Sequence, residues 1–156
     1  DIYKSKWLSM MRSKLGLVVT RKEDEKLVTD LLDWMHQNRA DYTNTFRNLA
    51  KPELPQEAPY ATESFEAWHN RWQNRLGEEE QGWDSSVTLM ASVNPAVIPR
   101  NHKVEDALQA GEEGDLKLLH DLVKALENPY QEGDHLIPYQ SPPEPTEKVY
   151  RTFCGT

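Results

Sequence analysis

A chain of 156 residues has room for one helical core of ordinary size, and a hydrophobic share of 37% with a mean hydropathy of −0.81 makes that core a modest one. The 26 acidic against 18 basic residues, a net charge of −8, repel both a phosphate backbone and an anionic lipid face, so neither nucleic acid nor a membrane is an expected partner. No apolar run approaches the roughly 20 residues of a bilayer span, the N-terminus lacks the apolar core of a signal peptide, and the one cysteine, Cys154, can form neither an intrachain disulfide nor a cysteine-based metal centre, all of which fits a reducing cytoplasm.

A first residue of Asp rather than Met, followed at once by helical spacing, points to a segment of a longer polypeptide. Residues 4–15 carry Trp7, Leu8, Met11 and Leu15 at helical intervals, with Gly16 placed for a left-handed cap. Thr20 and Glu23 have capping-box spacing before the broad stripe of Leu27, Val28, Leu31, Leu32, Trp34 and Met35. Asp41 is placed to cap a segment bearing Tyr42, Phe46 and Leu49, which Pro52 and Pro55 interrupt, leaving 51–61 as a loop. Thr62 or Ser64 opens the next helix, whose Phe65, Trp68, Trp72 and Leu76 recur on one face as far as Gly77.

Residues 83–92 are weakly helical, and Asn94-Pro95 breaks them. Two shorter helices, 102–110 and 115–127, then form a hairpin around Gly111-Glu-Glu-Gly114, with Asp115 capping the second and Leu116, Leu119, Leu122, Val123 and Leu126 as its core face. Prolines 129, 138, 142, 143 and 145 crowd the remainder of the chain. No stretch alternates with period two and no repeat of fixed length recurs. The expected architecture is therefore all-α: an irregular domain of about six helices over 1–127 and a Pro-rich extended tail over 128–156.

The sequence contains no phosphate loop, GxSxG elbow, HExxH pair or Cys-x-x-Cys. Asp33 with His36, and Glu66 with His69, have the i, i+3 spacing that helical di-iron proteins use. On a helical wheel, however, Asp33 and His36 fall more than about 100° from the apolar stripe and Glu66 lies well off its own, so no metal site is expected. The Phe65, Trp68 and Trp72 face reads first as buried packing and second as a surface for stacking or for a partner protein. The turn from Asn94 to Asn101 reads either as a helix start capped by Asn101 or as a device in which Arg100 holds a carboxylate or phosphate. Cys154, between Phe153 and Gly155, is either an idle thiol or a group open to a partner.

Taken in order, the phrases Met11-Arg-Ser-Lys-Leu-Gly-Leu17, Arg39-Ala-Asp-Tyr-Thr-Asn-Thr-Phe46, Asn94-Pro95 through Arg100-Asn101, Gly114-Asp115, Asn128-Pro129-Tyr130 and Tyr150-Arg-Thr-Phe-Cys-Gly-Thr156 resemble the last third of the selenoprotein O family. That resemblance implies a parent enzyme of kinase-like fold that binds ATP and magnesium and transfers AMP to hydroxyl side chains of proteins. The family's ATP-contacting lysine, its metal-binding Asn and Asp and its glycine-containing nucleotide loop have no counterpart here, so this segment is expected to be non-catalytic and to brace the upstream kinase-like domain. The family's redox-associated C-terminal cysteine or selenocysteine corresponds to Cys154. A freestanding helical adaptor that uses Phe65, Trp68 and Trp72 is the alternative.

Overall fold

In a computed structural model, which describes residues 2–144, all regular structure is helical and the chain divides into two compact units, the second beginning at Pro95. The first unit contains α1 (Ile2–Lys14), α2 (Asp24–Asn38), α3 (Tyr42–Asn48), α4 (Glu63–Leu76) and α5 (Gly82–Val93). The second contains α6 (Asn101–Glu112), α7 (Lys117–Leu126), a 3-10 turn at Asp134–Leu136 and the short α8 (Ile137–Gln140). This division rests on compactness. A division at 127/128 rests on composition.

Each boundary has a local cause. Helix α1 stops in a Schellman motif, in which Leu17 N–H donates to Arg12 O (2.9 Å) and Gly16 N–H to Ser13 O (3.0 Å). Gly16 has φ +75°, and a Cβ there would lie 3.1 Å from Ser86 Cβ and 3.2 Å from Ser86 O, so both backbone conformation and space call for glycine. Asp41 caps α3 by accepting from Asn44 N–H (2.8 Å), and Thr62 caps α4 by accepting from Phe65 N–H (3.4 Å). Asp115 accepts from Lys117 N–H (2.8 Å) at the start of α7, after a turn through Gly114 at φ +91°.

The capping box at Thr20 and Glu23 does not form. Glu23 occupies the cap position of α2 with no side-chain bond, and the carboxylate that organises this end is Asp24, which accepts from Arg21 N–H at 2.8 Å. Thr20 is exposed, whereas Asp24 is fully buried because a long-range cation holds it.

The core of the first unit joins Met11, Leu15 and Leu17 to the α2 stripe, Phe46 and Leu49 of the third segment, and Phe65, Trp68, Trp72 and Leu76 of α4. Trp68 donates its indole N–H to Leu27 O (2.9 Å) and Trp72 donates to Leu15 O (3.0 Å), so two large apolar rings are buried without orphaning their polar atoms. The two rings stack with centroids 6.1 Å apart at 7°.

The second unit is thinner. Val97, Ala125 and Leu136 form its buried cluster, with Leu126 and Tyr139 packed against it. Part of the expected extended tail is therefore helical: Asp134–Gln140 turns back because burying Leu136 against Val97 and Ala125 outweighs the proline at 138, which sits in the first turn of α8 where a missing N–H costs little. The expected core face of α7 is corrected as well. Leu122 is buried, but Leu116, Leu119 and Val123 are 50%, 36% and 51% exposed.

Candidate functional site

Two polar clusters of the first unit gather side chains from distant parts of the sequence. In one, Arg75 of α4 donates through Nε to Asp24 (2.8 Å), through Nη1 to Glu79 (2.8 Å) and through Nη2 to the Val19 carbonyl (2.6 Å). Glu79 in turn accepts from the N–H groups of Val18 (3.1 Å) and Val19 (3.2 Å). Both carboxylate side chains have no exposure and that of Arg75 is 8% exposed. Burial pushes the Glu79 carboxyl upward, but the Val19 and Val18 N–H groups and the guanidinium outweigh it and hold the group below its usual value. Burial likewise opposes the Arg75 charge, and the bonds to Asp24 and Glu79 overcome it, so its pKa rises.

The second cluster unites three of the phrases that carry the family resemblance. Lys14, at the end of α1, donates to Asn94 Oδ1 (3.2 Å) and lies over the rings of Phe46 (5.4 Å) and Tyr42 (5.7 Å). Asn94 is fully buried, and its amide donates to Lys14 O (2.9 Å). Arg47 Nη1 donates to the carbonyls of Asn94 (2.8 Å) and Ala91 (3.0 Å). Burial lowers the Lys14 pKa and raises that of Tyr42, whose hydroxyl points to Met11 Sδ at 3.6 Å. The chemistry of this arrangement is clamping: one cation and one amide tie the C-terminal ends of α1 and α5 together beside α3.

In the second unit, the Pro129 carbonyl accepts from Ala96 N–H (2.6 Å) and Val97 N–H (3.3 Å), which brings the Asn128-Pro129-Tyr130 phrase onto the Asn94-to-Asn101 turn. Arg100, not Asn101, holds the cap position of α6: its backbone is extended, at φ −78° and ψ 132°, and its carbonyl accepts the first helical bond, from Val104 (3.0 Å). Asn101 is the first helical residue and is exposed; Arg100 and His102 are buried.

Phe65, Trp68 and Trp72 are 2%, 2% and 0% exposed, so the aromatic row is core and offers no free face for a partner. Two neighbours carry it toward the surface: Trp83, 46% exposed and edge-on to Trp72 at 6.1 Å, and His69, stacked on Phe65 at 5.8 Å and half-buried beside a cleft of about 450 Å³ lined by Leu54, Tyr60 and Glu66, where burial lowers its pKa. Asp33, His36 and Glu66 are exposed, and no group of three or more His, Cys, Asp or Glu could hold a metal among the described residues. Cys154 lies outside the described residues. No helix among them is long and apolar enough to cross a membrane.

The comparisons with known proteins fit this pattern of convergent phrases. A family model described as "Protein adenylyltransferase SelO" matches residues 1–127. The chain belongs to the SelO family. Its similar relatives include proteins named "Protein nucleotidyltransferase YdiU" from Alcanivorax borkumensis, 49% identical over 155 residues, and from Nitrosococcus oceani, 46% identical over 156 residues, each covering 99% of this chain. A third, of the same name, from Pelagibacter ubique is 45% identical over 154 residues. The chain spans about a third (32%) of the length of these SelO-family relatives. Sequence reasoning missed Arg75, Glu79, Lys14 and Arg47. The signals present are local: Arg75 stands three residues after Trp72, at an apolar-stripe position, and Glu79 follows it at i, i+4.

Proposed function

We propose that this chain is a non-catalytic helical part of a protein adenylyltransferase. The longer polypeptide transfers AMP from ATP, with magnesium, to hydroxyl side chains of other proteins, and this part braces its kinase-like portion. The observation that carries the reading is coverage: nearly the whole chain aligns with relatives named as nucleotidyltransferases while accounting for 32% of their length. The geometry supports it, because the perturbed groups Lys14, Arg75 and Glu79 spend their bonds on tying helices together. Burial of Phe65, Trp68 and Trp72 removes the surface that the adaptor reading needs.

The same proposal gives Cys154 the role of a redox-responsive thiol in the cytoplasmic parent. The test is transfer of labelled AMP to a generic acceptor protein, with ATP and magnesium, by the full-length polypeptide and by residues 1–156 in parallel. Label transfer by the long form alone is the expected result, with a changed response to oxidant in its Cys154→Ser variant. Transfer by residues 1–156 alone contradicts the non-catalytic reading, and transfer by neither contradicts the adenylyltransferase reading.

A further inference from the structure

The α6–α7 hairpin buries one side of an amphipathic helix and leaves an apolar side uncovered. At about 100° per residue, Leu122 and Ala125 point one way and are 5% and 3% exposed, while Leu116, Leu119 and Val123 fall within about 60° of one another on the adjoining arc. A methyl group placed on Gly111 would meet Leu116 Cδ2 at 3.6 Å, so Leu116 lies over that turn of α6. Leu108 is one turn back from Gly111 on α6 and is 54% exposed.

The unit that carries this face is short of core. Among the described residues its buried apolar side chains are Ala96, Val97, Ala107, Leu122, Ala125 and Leu136, three of them alanines, in a segment of the size at which folded units are marginal. The open face offers on the order of 300 Å² of apolar area. That is well below the about 800 Å² per partner that an independent complex or a dimer requires. An occupant on the same polypeptide escapes this limit, because covalent linkage raises its effective concentration. The relatives supply such an occupant, since about two thirds of their length lies outside the matched region. The hairpin tip also presents exposed Glu112, Glu113 and Asp115 beside Leu116, so the matching surface is apolar with a basic rim.

We propose that Leu108, Leu116, Leu119 and Val123 dock onto an apolar, basic-rimmed surface in the remaining two thirds of the same polypeptide. The proposal rests on the reading of this chain as part of a longer adenylyltransferase and names the surface through which it braces the rest. The experiment is hydroxyl-radical footprinting of these four residues in the full-length polypeptide and in residues 1–156, at two concentrations. Labelling roughly fivefold lower in the long form, independent of concentration, is the expected result for side chains moved into an interface core. The double variant Leu119→Asp, Val123→Asp then lowers the thermal midpoint of the long form and leaves that of residues 1–156 unchanged.

Equal labelling in both forms overturns the proposal, as does protection that grows with concentration, which would assign the face to a second copy. Deleting the segment separates this failure from that of the parent reading. If the labelling is equal but AMP transfer is lost on deletion, the bracing role stands and only the surface is wrong. If transfer survives deletion as well, the bracing role falls with the surface while the adenylyltransferase reading of the parent stands, and that reading falls only if the intact long form transfers no AMP.

Discussion

The two units use similar amphipathic helices to different ends. In the first, the α4 stripe meets α2 and the end of α1, and three tryptophans, Trp34, Trp68 and Trp72, are at most 5% exposed. In the second, α7 carries an equally clear stripe, yet Leu116, Leu119 and Val123 remain in solvent. Periodicity says that a helix has an apolar side. Whether the same unit supplies the cover is decided by how many other elements it contains: among the described residues, four besides α4 in the first unit, but one full-length helix and two short turns besides α7 in the second.

The comparison breaks most visibly at Trp72. Trp72→Ala removes a fully buried ring and the bond to Leu15 O, and is expected to cost about 3–5 kcal/mol, read as a large drop in the thermal midpoint of residues 1–156. Arg75→Met strands two buried carboxylates and is expected to cost about 3–5 kcal/mol by the same measurement, and the further change Asp24→Asn should recover part of it. Within α7, Leu122→Ala is expected to cost about 2 kcal/mol or more, whereas Leu119→Ala, three residues away, stays within about 0.5 kcal/mol.

The pH dependence sharpens the same contrast. Glu79 has a folded pKa below its ordinary value of 4.5, so the stability it confers is complete above that value and is lost as the pH falls through the folded pKa. Urea titrations between neutral and acid pH should show this loss in the first unit, and Glu79→Gln should flatten it. No such limb is expected from Asp121 and Lys117, an exposed pair 2.5 Å apart in α7 that solvent screens.

Much of the helical framework was legible because its determinants are local. Asp41 and Thr62 sit where caps belong, Gly16 ends α1, and the row from Phe65 to Leu76 has one period throughout. The illegible part depends on pairing across the chain. Thr20 has the right spacing for a capping box, but Asp24 is claimed by Arg75, 51 positions later, and the start of α2 reorganises around that bond. Asn94 reads in sequence as a break before a proline; it is a buried amide that bonds Lys14, 80 positions earlier. The turn at 134–140 was hidden because Pro138 and the prolines that flank it at 129, 142 and 143 dominate the local signal, while Leu136 owes its place to Val97. For the candidate site, the phrases themselves were visible, but their convergence around Lys14 was not.

The measurement that tests the central claim most directly is amide hydrogen exchange on residues 1–156, followed segment by segment. A self-sufficient first unit beside an open second one predicts that α2 and α4 exchange only through global unfolding, while α6 and α7 exchange through openings of lower free energy. Equal protection of α7 and α4 would contradict the account, because it would mean that the second unit is already complete without a cover.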